Sequence, residues 1–428
     1  MGSKIIVEGF KSIGERVEVE VRPLTLLAGA NSSGKSSLMQ AILLLKQTLE
    51  APFDPGPIWL NGPNVKLTSF DQLVHIGQSG KRSKQFTLGI AYTDGTGFET
   101  LFHRSVSTKR FEVKSCQIRS SNGSTQTLHS NSRLDHTQEQ EVLANGLPFA
   151  GIGRLAEISR RYFTLKAKIK YSTGEIFIVP PIPGFEADLG PLYHVIHVPG
   201  LRGDPERAYP LTATGPTFPG TFDSYTASLI SDWATSSHEK LRQLGKNLQR
   251  LGLTWKVEAK KVDDANVELR VGRLPRPAKS GTSDVVNIAD VGLGVSQSLP
   301  VLVALLEARP GQLVFIEQPE IHLHPKAQVA MAGLLADAAK RGVQLVIETH
   351  SSLLLLAVQT LVAEGDLDPN LVKLHWFTRD PKSGASKITS ADLDEAGRFG
   401  DWPEDFDDVM LGAQSKYLDA VEAAMAKE

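Results

Sequence analysis

The chain has 428 residues, 41% of them hydrophobic and 22% charged, with 46 Lys and Arg against 48 Asp and Glu. A net charge near −2 supplies no general field for a polyanion, so any nucleic-acid contact needs a local basic patch. A single cysteine, Cys116, excludes an internal disulfide framework and suits a reducing compartment, and the length suggests two or three packing units.

"KIIVEGF" and "RVEVEV" alternate apolar and polar residues around the turn-like "KSIGE", which predicts two strands. A third, buried strand, "LTLLA", runs into "GANSSGKSSLMQAILLLKQTLE", a glycine-rich loop followed by apolar residues at helical spacing (Leu38, Ile42, Leu45, Leu49). Pro- and Gly-rich "APFDPGPIWLNGPN" interrupts the chain. From about residue 86 to 200 the pattern is β, with "FTLGIAY", "YFTLKAKIKY" and "EIFIVP" as strands of an accessory sheet. The polar "SSNGSTQTLHSNSRLDHTQEQE" reads as a mobile loop.

Helical periodicity returns over 221–251, and "WKVEAKK" with "NVELRVG" predicts a hairpin. Then "SLPVLVALLEA", "QLVFIEQ", "AQVAMAGLLADAAKRG", "QLVIETH" and "KLHWFTRD" alternate helix and strand as parallel α/β layers do. "SSLLLLAVQTLVA" is too short to span a bilayer and predicts a buried helix, so no membrane partner is expected. The amino terminus lacks a signal peptide's apolar core and fails the myristoylation pattern at Ile6, so a cytoplasmic location is expected.

Four motifs carry chemistry. "GANSSGKS", Gly29 to Ser36, satisfies G-x-x-x-x-G-K-[ST] between a buried strand and a helix. Its glycines let backbone N–H groups turn toward phosphate oxygens, Lys35 offers a point charge to the β- and γ-phosphates, and the Ser36 hydroxyl is a Mg²⁺ ligand. "LVFI" delivers Glu317 to a strand's carboxyl end, where it is positioned to hold the metal. "LVIETHS" ends a second buried strand at Glu348, Thr349 and His350, and a neutral His350 imidazole can report a γ-phosphate by hydrogen bonding. In "DVGLGVSQSLPVLVALL" glycines precede an apolar helix whose first N–H groups form an anion site, or whose start Ser296 merely caps. A zinc site from His322, His324 and His350 is rejected on spacing.

The order strand pair, P-loop, long insertion, glycine-rich helix start, strand with acids and strand with His resembles the ABC-type ATPase head, in its SMC/RecF/OLD branch. "EQPEIHLHPKAQ" and the tail "DLDEAGRFGDWPEDFDD" are similar to small prokaryotic AAA-family defence ATPases, relatives of the Septu ATPases, with a short C-terminal domain of unknown function. The resemblance implies an α/β fold: a P-loop NTPase head with a parallel core sheet, an antiparallel β accessory lobe and a helical lobe. The expected units are 1–50 (strands and P-loop), 51–200 (β-rich insertion), 201–283 (helical lobe with hairpin), 284–380 (second part of the core) and 381–428 (tail).

Carried onto this sequence, the resemblance implies a Walker A loop of Gly29, Asn31, Ser33, Gly34, Lys35, Ser36 and Ser37, with ATP and Mg²⁺ as ligands. Glu317 takes the Walker B acid's place, His350 the switch histidine's, and Gln72 or Gln78 that of the metal-sensing glutamine. The signature, acting on a second subunit's ATP, falls on Gly292, Gly294, Ser296 and Gln297, the last lying 20 residues before Glu317. Gly294 stands where the family has a serine. A homo-oligomer is therefore implied.

Gln318 occupies the catalytic glutamate's slot. An amide orients water but takes no proton, and glutamine suffices for slow turnover in small GTPases; Glu320, two residues on, is a second candidate to reach the water. A slow ATPase is expected, acting as a switch for a separate effector such as a nuclease in anti-phage defence. Alternatives are a RecF/SMC-like DNA-repair or DNA-binding ATPase, with "KKVDDANVELRVGRLPRPAK" as its basic candidate, and a transporter's nucleotide-binding subunit. Fewer than 80 residues follow His350, too few for a TOPRIM nuclease domain. Arg202 and Arg207, in "PGLRGDPERAY", are candidates for contact with nucleotide or a neighbour, or for a surface salt bridge.

Overall fold

The computed structural model describes residues 3–121, 123–130, 153–171, 176–179, 189–274, 276 and 284–400. The acidic tail "DWPEDFDD" and most of the polar segment after Ser130 lie outside them.

A six-stranded core sheet has the order β11 (Ile196–Val198), β16 (Leu313–Glu317), β17 (Gln344–Glu348), β3 (Leu24–Gly29), β18 (Val372–Arg379), β19 (Ser386–Ala391). The first five pair in parallel, and β19 returns antiparallel along β18. Side chains alternate between two cores. Leu24, Leu26, Ala28, Val314, Ile316, Leu345 and Ile347 face one, and Leu27, Leu313, Phe315 and Val346 face the other. With both faces covered, these strands read as unbroken apolar runs, as they must in a buried parallel sheet.

The first face packs against the helices Leu293–Glu307, Pro325–Lys340 and Ser352–Ala363, together with the helical lobe. In that lobe the periodic stretch 221–251 splits into helices Thr226–Ser236 and His238–Arg250, because Ser237 leaves helical geometry at φ −148°. The hairpin β13 (Val257–Lys261) and β14 (Asn266–Gly272) pairs Val257 with Val271, flanked by β12 (Tyr209–Pro210) and β15 (Val285–Asn287).

The second face packs against the P-loop helix Lys35–Glu50, which a second, antiparallel sheet covers in turn. Its order is β2 (Val17–Val21), β1 (Ser3–Glu8), β4 (Gln85–Ala91), β5 (Gly97–Arg104), β6 (Phe111–Arg119), β7 (Thr125–His129). The two amino-terminal strands thus join the accessory sheet, whereas β11 and β19, from the insertion and the tail, close the two edges of the core sheet. Strand β7 lies inside the segment expected to be a mobile loop; Cys116 and Ile118 on β6 offer it a register, pairing with Leu128 and Gln126. Strands β8 (Gly153–Arg161), β9 (Thr164–Tyr171) and β10 (Ile176–Val179) form a third sheet.

The P-loop helix is buried on nearly every side, and even Lys46 is inaccessible. An unpaired ammonium there would cost several kcal/mol, on the order of a buried charge. Glu50 one turn on, together with the carbonyls of Phe218 (3.0 Å) and Gly220 (3.2 Å), compensates it and fixes the helix to the segment before the helical lobe. Among the described residues, no helix is long and apolar enough to cross a membrane.

Candidate nucleotide site

The P-loop joins β3 to its helix at the carboxyl edge of the core sheet, where parallel sheets place their ligands. Two glycines are fixed by contact. Gly29 has φ 130°, and a Cβ there would sit 2.1 Å from the Phe377 carbonyl of the neighbouring β18. Gly34 has φ 108°, and a Cβ there would strike Ser386 Oγ at 2.1 Å and Ser12 Oγ at 2.6 Å. The loop is braced from outside the motif as well: Ser386 Oγ donates to the Ser33 carbonyl (2.6 Å), and the Arg379 guanidinium reaches the Ser32 carbonyl (3.4 Å).

A cavity of about 500 Å³ opens over the loop, lined by Asn31, Ser33, Gly34, Lys35, Ser36 and Ser37, and on the far side by Gln318, Glu348, His350 and Arg379. Lys35 Nζ donates to the carbonyls of Gly29 (2.9 Å) and Ala30 (2.8 Å), so its ammonium is held over the loop. Burial lowers its pKa, while the nearby Glu348 acts in the opposite sense. His350 is also held below the ordinary histidine range, by burial and then by Lys35, both of which favour its neutral form.

The acids divide differently from the sequence expectation. Ser36 Oγ, the expected metal ligand, donates to Glu348 Oε1 at 2.9 Å. Glu317 stands beside Glu348 in register, but β17 separates its strand from the P-loop strand. Its two oxygens are taken by His197 Nε2 (3.0 Å) and the Gly200 N–H (3.0 Å). Burial alone would raise the Glu317 carboxyl. His197, the Gly200 N–H and Arg202 outweigh it and hold the group below the usual carboxylate range. Asn64 Nδ2 lies 3.0 Å from His197 Nδ1, which sets the imidazole to present its Nε2–H to Glu317. Glu348 is pushed up to about 7, first by burial, with the charge of Glu317 adding to it against the Ser36 hydrogen bond. Its Oε2 is buried and has no hydrogen-bond partner. A hydroxyl and a carboxylate with one open oxygen, facing a P-loop, are the hard oxygen donors that suit Mg²⁺.

Gln318 lines the cavity with φ 46°, held by its N–H on the Glu348 carbonyl at 2.7 Å. Glu320 is not among the lining residues. Its Oε1 accepts from Thr349 Oγ1 (2.8 Å) and from the His350 N–H (2.8 Å), which binds the loop after β16 to the histidine that ends β17. Through Oε1 Glu320 positions His350, while its Oε2 is buried and has no hydrogen-bond partner.

Gln72 and Gln78 line a neighbouring cavity of about 780 Å³ that shares Ser12 and Arg379 with the first. The Gln72 side-chain oxygen closes a capping box on Thr68 and Ser69 N–H groups (2.9 and 3.2 Å), so that atom is committed to a turn. The metal role expected for Gln72 is not what its placement shows, because a capping oxygen already holds two donors.

Of the signature residues, Gly292 caps the helix Leu293–Glu307, one turn before Ser296, whose hydroxyl bonds back to the Leu293 carbonyl (3.1 Å). Ser296 is therefore not the N-cap. Gln297 is buried and donates to the carbonyls of Arg202 and Gly203 (3.0 and 3.1 Å). None of Gly292, Gly294, Ser296 and Gln297 lines the P-loop cavity of its own chain.

The two arginines diverge. Arg207 is exposed and pairs with Asp290 at 2.7 Å. Arg202 is buried and donates to the carbonyls of Gln297 (3.1 Å) and Glu317 (2.6 Å), and burial holds its guanidinium down to about 10. Arg379 and Glu348 were given no role from the sequence. Their only signal was a charged residue at the carboxyl end of an apolar strand, the same signal that marked Glu317.

Two family descriptions match the chain. Residues 1–146 match "AAA ATPase domain", and residues 266–357 match "AAA domain, putative AbiEii toxin, Type IV TA system". A comparison with curated proteins finds no match. Among solved structures, an SMC head bound to the C-winged helix domain of ScpA is 13% identical with a TM-score of 0.47, over 92% of this chain and 98% of that one. The SMC head domain from Thermotoga maritima is 12% identical with a TM-score of 0.39, over 91% and 98%. The Smc head domain with a coiled coil and joint derived from Pyrococcus yayanosii is 10% identical with a TM-score of 0.45, over 92% and 97%. The two matched segments carry the two sides of the cavity, Lys35 and Ser36 in one and Gln318, Glu348 and His350 in the other, and each is similar to an AAA-type ATPase domain.

Proposed function

We propose that the chain binds ATP with Mg²⁺ and hydrolyses it slowly, as an oligomeric switch that controls a separate effector, of which a nuclease acting in anti-phage defence is the expected kind. One observation carries the reading: a P-loop lysine and serine face a glutamine, a glutamate and a histidine across one cavity. Mg²⁺ bound there would neutralise charge on the β- and γ-oxygens.

The chain's own groups then have distinct tasks. Lys35 holds phosphate by point charge, and His350 in its neutral form donates to a terminal phosphate oxygen. Gln318 orients water with an amide that accepts no proton, which supports slow turnover. Glu320 keeps His350 in place through its backbone.

The oligomer is supported by the glycine-rich helix start. Gly292 and Leu293 are exposed and stand away from the chain's own cavity, as a surface that acts on a second copy would. The defence part of the reading is supported by the description of the matched 266–357 segment, "AAA domain, putative AbiEii toxin, Type IV TA system". The test is molar mass by light scattering and nucleotide binding by calorimetry, with and without ATP and Mg²⁺, comparing wild type with Lys35→Ala. An ATP-dependent rise in mass that Lys35→Ala abolishes is expected. Absence of nucleotide binding in wild type refutes the proposal, and binding without any change in mass or partner affinity removes the switch from it.

A further inference from the structure

Two glutamates end neighbouring strands in register, Glu317 on β16 and Glu348 on β17, and of the two Glu348 lines the cavity. Sequence order alone favours Glu317 as the acid on the metal side, because it ends the apolar run just before the "QPE" turn. The hydrogen bonds divide the two differently. Each Glu317 oxygen already accepts a hydrogen bond, one from His197 and the other from the Gly200 N–H. The clamp is tight: a Cβ on Gly200 would lie 3.2 Å from Glu317 Oε2 and 3.3 Å from its Cβ. His197 is locked in turn, stacked on Phe315 with ring centroids 5.4 Å apart and held by Asn64 at its other nitrogen. For Glu317 to reach the P-loop, this chain of contacts would have to open.

Glu348 is in the opposite condition. Its strand is the direct neighbour of the P-loop strand, with Glu348 opposite Leu27. Its Oε1 takes the Ser36 hydroxyl, its Oε2 is buried with no partner, and the residue lines the cavity beside Lys35. A buried carboxylate with an open oxygen costs free energy unless a cation or a donor meets it. Here the open oxygen sits next to the one hydroxyl in the loop whose position is that of a metal ligand.

We propose that Glu348, paired with Ser36, is the carboxylate that holds the divalent cation of the nucleotide site, and that Glu317 is a positioning residue fixed by His197 and Gly200. The proposal rests on the nucleotide reading above and deepens it. It assigns the acid to the strand beside the P-loop and leaves Glu317 to anchor the end of β16, from which Gln318 projects into the cavity.

The experiment uses the full chain with a non-hydrolysable ATP analogue. Mn²⁺ affinity in the presence of the analogue is read by electron paramagnetic resonance, and analogue binding in EDTA is read separately. Glu348→Gln keeps an acceptor for Ser36 while removing the charge. It is expected to weaken Mn²⁺ at least ten-fold while metal-free analogue binding stays within three-fold of wild type. Glu317→Gln is expected to stay within three-fold in both. Glu348→Asp, which keeps the charge, is expected to recover most of the Mn²⁺ affinity and guards against a folding defect in the glutamine variant, as do the melting curves of all variants. A loss of Mn²⁺ affinity in Glu317→Gln equal to or larger than that in Glu348→Gln overturns the assignment, as does a Glu348→Gln variant that binds Mn²⁺ like wild type. If wild type binds the analogue neither with metal nor in EDTA, the nucleotide reading itself falls, and the assignment with it.

Discussion

Arg202 and Gln297 hold each other by their backbones: Arg202 Nη1 donates to the Gln297 carbonyl at 3.1 Å, and Gln297 Nε2 donates to the Arg202 carbonyl at 3.0 Å. The other arm of the guanidinium reaches the Glu317 carbonyl at 2.6 Å, so the end of β16 and the start of the helix Leu293–Glu307 form one mechanical unit. Removing the fork leaves the Gln297 and Glu317 carbonyls without this donor. Arg202→Ala is expected to lower stability by about 3 kcal/mol in urea denaturation. It is also expected to slow hydrolysis at least ten-fold, with nucleotide binding retained. Arg202→Lys, which lacks the planar fork, is expected to fall between the two.

Gln318 meets the cavity from a left-handed backbone at φ 46°, so its side chain is aimed by strain that the N–H bond to Glu348 sustains. If the amide limits turnover, Gln318→Glu should raise the single-turnover hydrolysis rate ten-fold or more by supplying a base. Glu320→Gln, which keeps an acceptor for Thr349 and the His350 N–H, should change the rate less than three-fold. A large loss in Glu320→Gln would place that carboxylate on the reacting water.

His375, fully buried on β18, sits 2.7 Å from the Glu20 carbonyl and 2.8 Å from Ser390 Oγ. Burial, with the nearby charges of Lys373 and Arg22 adding to it against the Glu20 carbonyl, pushes its pKa down to about 4. The unfolded chain therefore takes up this proton at higher pH than the folded one. The group's contribution is complete above about pH 6.5 and is lost as pH falls toward 4, by up to about 3 kcal/mol. Denaturation midpoints of wild type and His375→Gln measured across that window should differ in slope by this one proton.

Cys116 is buried between the sheets, and its thiol is pushed up to about 11 by burial. The thiolate is the reactive form, so a thiol reagent at pH 8 should modify the native protein at least a hundred-fold more slowly than the urea-unfolded chain. Rapid labelling of the native state would mean that the accessory sheet opens there.

The P-loop was legible because its chemistry is local. Gly29 to Ser37 are consecutive, and a strand, a turn and a helix suffice to aim their N–H groups. The apolar runs ending at Glu317 and Glu348 were legible as buried strands for the same reason. Residues whose role depends on a distant neighbour were not. Glu320 is a second candidate to reach the water because it lies two residues from Gln318, and the loop turns its Oε1 onto Thr349 and His350, contacts that no short stretch of sequence announces. Arg379 carried no motif at all, and it reaches Ser32 only because β18 lies beside β3.

What the sequence settled by itself is that a P-loop motif, a glutamine after one apolar strand and a histidine after another belong to one parallel α/β layer, since each is written in contiguous residues whose backbone geometry is short-range. Which acid meets Ser36 was decided by strand order. Placing β17 between β16 and β3 brings Glu348 to the loop and leaves Glu317 one strand away with His197, and that order comes from packing on both faces of the sheet, which no single stretch of chain encodes.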